Sequence, residues 1–117
     1  MKRLTFPKAR RLTRPAEFDR ARKEGRVERG KLLVLGHLGE GRTAFRAGFV
    51  TSRAIGRAVV RNRVRRRLRE IVRKHQHEIR TGIWIVTIAR PPAASATFDQ
   101  LEAEWLRLAG RASILSA

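Results

Sequence analysis

Apolar side chains change their spacing several times along this chain, and each change marks an element. Between Thr13 and Gly25 they are sparse. Phe18 and Ala21 lie near one side of a short helix that Thr13 would cap, Pro15 begin, Glu17 and Asp19 complement at its positive end, and Gly25 stop. A short strand at Arg26 to Glu28 precedes the apolar run Leu32-Leu33-Val34-Leu35, and Gly39-Glu40-Gly41 makes a turn. The next run alternates: Thr43, Phe45, Ala47, Phe49 and Thr51 share one face, and Ala44, Arg46, Gly48, Val50 and Ser52 the other. That period of two predicts an antiparallel strand covered on one side. Gly48, with no side chain in mid-strand, predicts a bend or a close approach by the neighbouring helix.

After Ile55-Gly56 the spacing becomes helical. Val60, Val64, Leu68, Ile71 and Val72 fall on one stripe at about 100° per residue, and the helix is expected to reach about Ile79, before Thr81-Gly82. The unbroken run Ile83-Trp84-Ile85-Val86-Thr87-Ile88 suits a central strand, and a strand–helix–strand order allows parallel pairing. Arg90-Pro91-Pro92 interrupts the chain. Thr97 with Gln100 then forms a capping box ahead of a last helix whose stripe is Phe98, Leu101, Trp105, Leu108 and Ala112.

At 117 residues this is one domain with a single modest core, and 42% hydrophobic residues argue for a folded chain. The net charge of +18 is regional: residues 1–80 carry 25 basic and 7 acidic side chains, residues 81–117 three of each. Residues 1–12 read as a basic N-terminal arm. Half of the eighteen residues from Arg57 to Lys74 are basic, on the same helix as the apolar stripe. Arg66, Arg69 and Arg73 with Asn62 take the face opposite the stripe, Arg61 and Arg65 flank one edge, and Arg63 and Arg67 lie toward the other. Only Glu70 and, beyond the run, Glu78 can neutralise these charges, so the helix repels itself without a polyanion. Planar, permanently charged guanidinium forks match phosphate oxygens in pairs, which favours nucleic acid over an acidic protein or an anionic membrane.

Other chemistries find less support. The chain has no cysteine, hence neither disulfides nor thiolate metal sites, and cytoplasm is the default compartment. The longest strongly apolar stretch, Ile83 to Ala89, is too short for a transmembrane helix, and no apolar run follows the basic N-terminus as in a signal peptide. His75 and His77 face apart on a helix and His37 lies in another element, so no metal site and no catalytic side chain is expected. Phe45 and Phe49 are expected in the core more than as stacking platforms, with Trp84 and Trp105 as core anchors.

Arg46-Ala47-Gly48-Phe49-Val50-Thr51-Ser52-Arg53, followed by Ile55-Gly56-Arg57-Ala58-Val59-Val60-Arg61-Asn62-Arg63-Val64-Arg65-Arg66, closely resembles the bacterial ribonuclease P protein component. The resemblance extends to Arg11-Leu12, Glu17-Phe18, Gly25 and Ala89-Arg90-Pro91. It implies a single α+β domain of order αβββαβα, ribosomal-protein-S5-like, with a small mixed sheet and a left-handed βαβ crossover. It further implies a subunit with no catalytic group of its own, which binds ribonuclease P RNA through Arg57, Arg61, Asn62, Arg63, Arg65, Arg66 and Arg69. The 5′ leader of precursor tRNA would enter a cleft that includes Phe18, Arg22, Phe49, Ser52 and Arg53. The RNA would hold the Mg²⁺ used to remove the leader, and no protein oligomer is expected in the holoenzyme. Relatives often carry aromatic side chains where this chain has Arg22 and Gly36, and a basic one at Ala54, so leader binding here should rest more on charge than on stacking. Composition alone would suit a ribosomal or other rRNA-packing protein equally well, and only the motif speaks against that alternative.

Overall fold

The computed structural model describes residues 11–12, 14–39 and 44–115. The expected Thr13 cap, the centre of the Gly39-Glu40-Gly41 turn, Thr43 and the basic arm through Arg10 lie outside them. Seven elements follow in the order α1 (Pro15–Glu24), β1 (Arg26–Arg29), β2 (Leu33–Gly39), β3 (Arg46–Val50), α2 (Ala58–His75), β4 (Ile83–Ala89) and α3 (Phe98–Arg111). This is the expected αβββαβα order in a mixed α+β domain. The sheet runs β1-β2-β4-β3. β2 is antiparallel to both of its neighbours, β1 and β4, and its register with β4 runs from Leu33 opposite Ala89 to Gly39 opposite Ile83.

β3 departs from the antiparallel, half-covered strand expected of its alternation. It pairs with β4 in parallel, Arg46 opposite Trp84 through Val50 opposite Ile88, with α2 as the crossover. Both of its faces are covered, and Leu12 donates to the Ala47 carbonyl at 2.9 Å along its outer edge. Alternation misled because a glycine and an arginine hold positions on a covered face. A Cβ at Gly48 would come within 2.6 Å of the Phe18 ring, so the close approach expected there is made by α1. Arg46 pairs with Glu17 of α1 and lies 5.5 Å from the centroid of Trp84.

The main core lies between the other face of the sheet and the helices α2 and α3. Leu33, Leu35, Phe45, Ala47 and Ile85 meet Val64, Leu68, Ile71 and Val72 of α2 and Leu101, Trp105 and Leu108 of α3. Val60 joins as a partly buried member, which completes the stripe read from the sequence. Trp105 is wholly buried and donates its Nε1–H to Thr87 Oγ1 at 3.2 Å. Trp84 is not the core anchor expected: it is half-buried under α1, with the guanidinium of Arg20 also 5.4 Å from its ring. A smaller core of Leu12, Ala21 and Val86, flanked by Phe18, Val50 and Ile88, holds α1 to the sheet.

Helix ends follow local chemistry. α1 begins after Arg14, whose backbone N–H donates to Glu17 Oε1 at 3.1 Å, and Gly25 ends it by donating to the Ala21 carbonyl. α2 stops at His75, short of Ile79, because the next three residues tighten into a 3₁₀ turn. Ile79 is thereby extended and buried, bridging Leu115, while Arg80 donates to the Ile114 carbonyl at 2.9 Å. The Thr97–Gln100 capping box is formed reciprocally at 3.1 and 2.9 Å.

Candidate nucleic-acid interface

α2 carries two kinds of residue for two tasks. Its apolar stripe fixes the helix on the core, and the same spacing turns the guanidinium groups outward. Among the described residues Arg57, Arg61, Arg63, Arg65, Arg66, Arg67 and Arg69 form no ion pair; the acidic partners are all at the C-terminal end of the helix. There Glu70 pairs with Arg73, Glu78 with His75, and Glu102 of α3 with Lys74 at 2.9 Å. Glu102 is a neutralising group that the sequence did not reveal, since it arrives from another helix.

Several arginines are oriented by neutral acceptors, which hold a side chain without cancelling its charge. Arg65 donates to Thr51 Oγ1 at 2.6 Å and to Asn62 Oδ1 at 3.1 Å. On the opposite edge Arg63 donates to the Ala94 carbonyl at 3.1 Å and Arg67 to that of Ala96 at 2.9 Å. The two edges are those read from the helical spacing. Pro91–Ser95, expected only as a break, form the 3₁₀ turn that supplies Ala94. Arg57 is the N-cap residue of α2, exposed like Asn62 and Arg66.

The candidate cleft residues do not form one set. Phe18 and Arg22 line a narrow apolar cavity of about 30 Å³ between α1 and the sheet, with Val34, Gly36, Val86 and Ile88. Both positions at which relatives often carry aromatics, Arg22 and Gly36, therefore border the same space. Phe49 faces away from it, toward the α2 side of β3, and lines a second cavity of about 240 Å³ with Phe18, Arg11, Arg65 and Arg69. Phe18 reaches both because Gly48 leaves the sheet bare beneath its ring. Asn62, Arg65, Arg66 and Arg69 line a further hollow alongside. Ser52 and Arg53 line none of these; they sit exposed beyond β3, where Ser52 precedes the 3₁₀ turn Arg53–Ile55.

Electrostatics at the second cavity favour an anion. Burial, and after it the charges of Arg11 and Arg65, hold Arg69 below the ordinary guanidinium range. Its Nε is buried with no hydrogen-bond partner. An arginine remains charged under such pressure, so a phosphate oxygen placed among these groups would relieve repulsion and satisfy a buried donor together. Arg11 was absent from the set of candidate site residues; its place in the Arg11-Leu12 pair matching the family was the available signal.

At the far end of α2, His75 is held between two carboxylates, Nδ1 at 2.5 Å from Glu78 Oε2 and Nε2 at 2.9 Å from Glu102 Oε2, with its ring stacked on Trp105. Burial opposes its charge, but the hydrogen bonds to Glu78 and Glu102 prevail and raise its pKa above the ordinary 6.5. A folded-state pKa raised in this way contributes stability that is complete below the unfolded value and is lost as pH rises through the folded one. Unfolding free energy should therefore decline as pH climbs from about 6.5 through the raised pKa, and His75→Gln should flatten that decline. Urea titrations across this range check it; an unchanged slope in the variant would refute the assignment. Among the described residues no three histidine or acidic side chains are grouped to hold a metal ion.

Comparison with known proteins accords with this arrangement. The family model for ribonuclease P matches residues 6–113. The ribonuclease P protein component of Chloroflexus aggregans is 41% identical over 110 residues, covering 93% of this chain and 82% of its own length. That of a Roseiflexus species is 42% identical over 94% of this chain and 91% of its own. The ribonuclease P protein of Staphylococcus aureus superposes with a TM-score of 0.85 at 29% identity, covering 93% of this chain and all of the other. The Thermotoga maritima ribonuclease P protein gives 0.79 at 30% identity, covering 86% and 96%. With its element order, its arginine-bearing crossover helix and these relatives in agreement, the chain belongs to the ribonuclease P protein family.

Proposed function

We propose that this protein binds the catalytic RNA of ribonuclease P through α2, and the 5′ leader of precursor tRNA through the cavities beside Phe18. The observation that carries the reading is the set of seven arginines on and beside α2 with no carboxylate partner among the described residues. Two of them, Arg65 and Arg69, line a cavity with Phe18 and Phe49 in its walls. Neutralising RNA phosphates lets RNA helices approach one another, and a bound leader favours precursor over product, because mature tRNA lacks that segment. Mg²⁺ in this reading belongs to the RNA, and the protein's part is electrostatic and positional. With Gly36 and Arg22 bordering the narrow cavity, leader binding rests on guanidinium–phosphate contacts, with the Phe18 and Phe49 rings as the available stacking surfaces.

The test is reconstitution. Purified protein alone, the catalytic RNA alone, and both together are assayed for cleavage of precursor tRNA at the 5′ end of the mature sequence. Protein alone should be inactive, and the mixture should outperform the RNA alone at moderate Mg²⁺. Cleavage by RNA-free protein, or no gain on mixing, would reject the proposal.

A further inference from the structure

We propose that Val59 makes a non-ionic contact between α2 and the sugar–base surface of the RNA, and so contributes preference for one RNA over others. This rests on the reading that α2 is an RNA-binding helix. Val59 is 76% exposed, and the only other large hydrophobic residue exposed among the described residues is Val27 at 39%. It lies in the first turn of α2, with Asn62 and Arg63 three and four residues on and therefore beside it on the helix surface. The core does not require it, because the neighbouring Val60 fills the inward position. Helix formation does not favour it either, since a β-branched residue is a weaker helix former than alanine or arginine.

The chemistry of the surroundings indicates what would meet it. Arginines suffice for phosphate, and a phosphate gains nothing from an isopropyl group. Ribose carbons and base edges do, and the shallow minor groove of an RNA helix displays both together with 2′-hydroxyls. Asn62 fits the same partner: its amide oxygen accepts from Arg65 at 3.1 Å, which leaves the NH₂ end to donate to a hydroxyl or a base. Phosphate contacts set orientation and are largely blind to sequence and shape. An apolar side chain is effective only where the RNA surface comes close enough to exclude water, so it distinguishes a fitting RNA from any other polyanion.

Affinity is measured for the full chain against two transcripts, the catalytic RNA of ribonuclease P and an unrelated structured RNA of equal length, at several salt concentrations. Val59→Ala removes two methyl groups and should weaken binding to the catalytic RNA by about 4- to 15-fold. The slope of log affinity against log salt should stay unchanged, and the unrelated RNA should be little affected. Arg66→Ala, the ionic control, should lower the slope by about 0.9 on both RNAs. Thermal unfolding should show Val59→Ala as stable as the parent. A Val59→Ala protein that binds the catalytic RNA like the parent, or that weakens on both RNAs alike, overturns the inference. Parent protein that fails to discriminate between the two RNAs would overturn the ribonuclease P reading, and this inference with it.

Discussion

Glu104→Ala is expected to destabilise the fold by about 3–5 kcal/mol, the largest effect of any single polar substitution considered. Glu104 is only 8% exposed, although it lies in mid-helix and carries a charge. Its carboxylate accepts the backbone N–H groups of Lys31, Leu32 and Leu33 at 3.2, 2.6 and 2.7 Å, and Arg107 at 3.0 Å. Truncation would leave the turn between β1 and β2 with donors that no backbone carbonyl replaces, and each buried unsatisfied group costs about 1–3 kcal/mol. Domains of this size have about 5–15 kcal/mol in total, so the variant would lose a large share of its stability. Glu104→Gln, which retains one acceptor oxygen, should lose roughly half as much. Urea denaturation gives the comparison through a lowered midpoint with the slope preserved. A loss below about 1 kcal/mol in the alanine variant would mean that water replaces the carboxylate.

The combined substitution of Arg65→Ala and Arg69→Ala should lower affinity for the catalytic RNA more than 100-fold at roughly physiological salt, given about 1.5–3 kcal/mol for each charge-assisted hydrogen bond. The slope of log affinity against log salt should fall by about 1.4–1.8. The fold should survive, because the lost contact between Arg65 and Thr51 is offset by relief of the repulsion among Arg11, Arg65 and Arg69. A drop in affinity with an unchanged slope would mean that these side chains shape the helix rather than meet phosphate.

Wherever function and packing lie in one helical period, the sequence was legible. Five apolar residues and the arginines between them define α2, both of its edges, and the side that faces away from the core. The capping box of α3 was readable as local chemistry, and the close approach at Gly48 because a bare position in mid-strand marks where another element can come near, though not which one. What escaped depends on tertiary partners. Phe49 shares an alternating strand with Gly48, but only the docking of α1 and α2 on opposite sides decides which cavity each residue borders. Arg63 and Arg67 are steadied by carbonyls from a 3₁₀ turn and from the residue just after it, some thirty residues away. Glu104 gave no sign of its role, because the backbone amides that it binds belong to a turn more than seventy residues earlier. Trp84 was assigned to the core on residue type alone, and Arg20 and Arg46 make its face a half-open platform instead.

The clamp by Glu104 also bears on how the chain is made. A ribosome delivers the N-terminal elements first, and Glu104 follows Leu32 by 72 residues. Throughout that interval the β1–β2 hairpin exists without the carboxylate that ties its turn, and Leu33, Leu35 and Ile85 lack the cover that α3 provides. A chain that lacks α3 would therefore leave part of the sheet face uncovered and the turn loose, features that chaperones and proteases engage. Docking of the last helix is the step that removes this vulnerability, so the N-terminal hairpin owes its protection to the element that is made last among the seven.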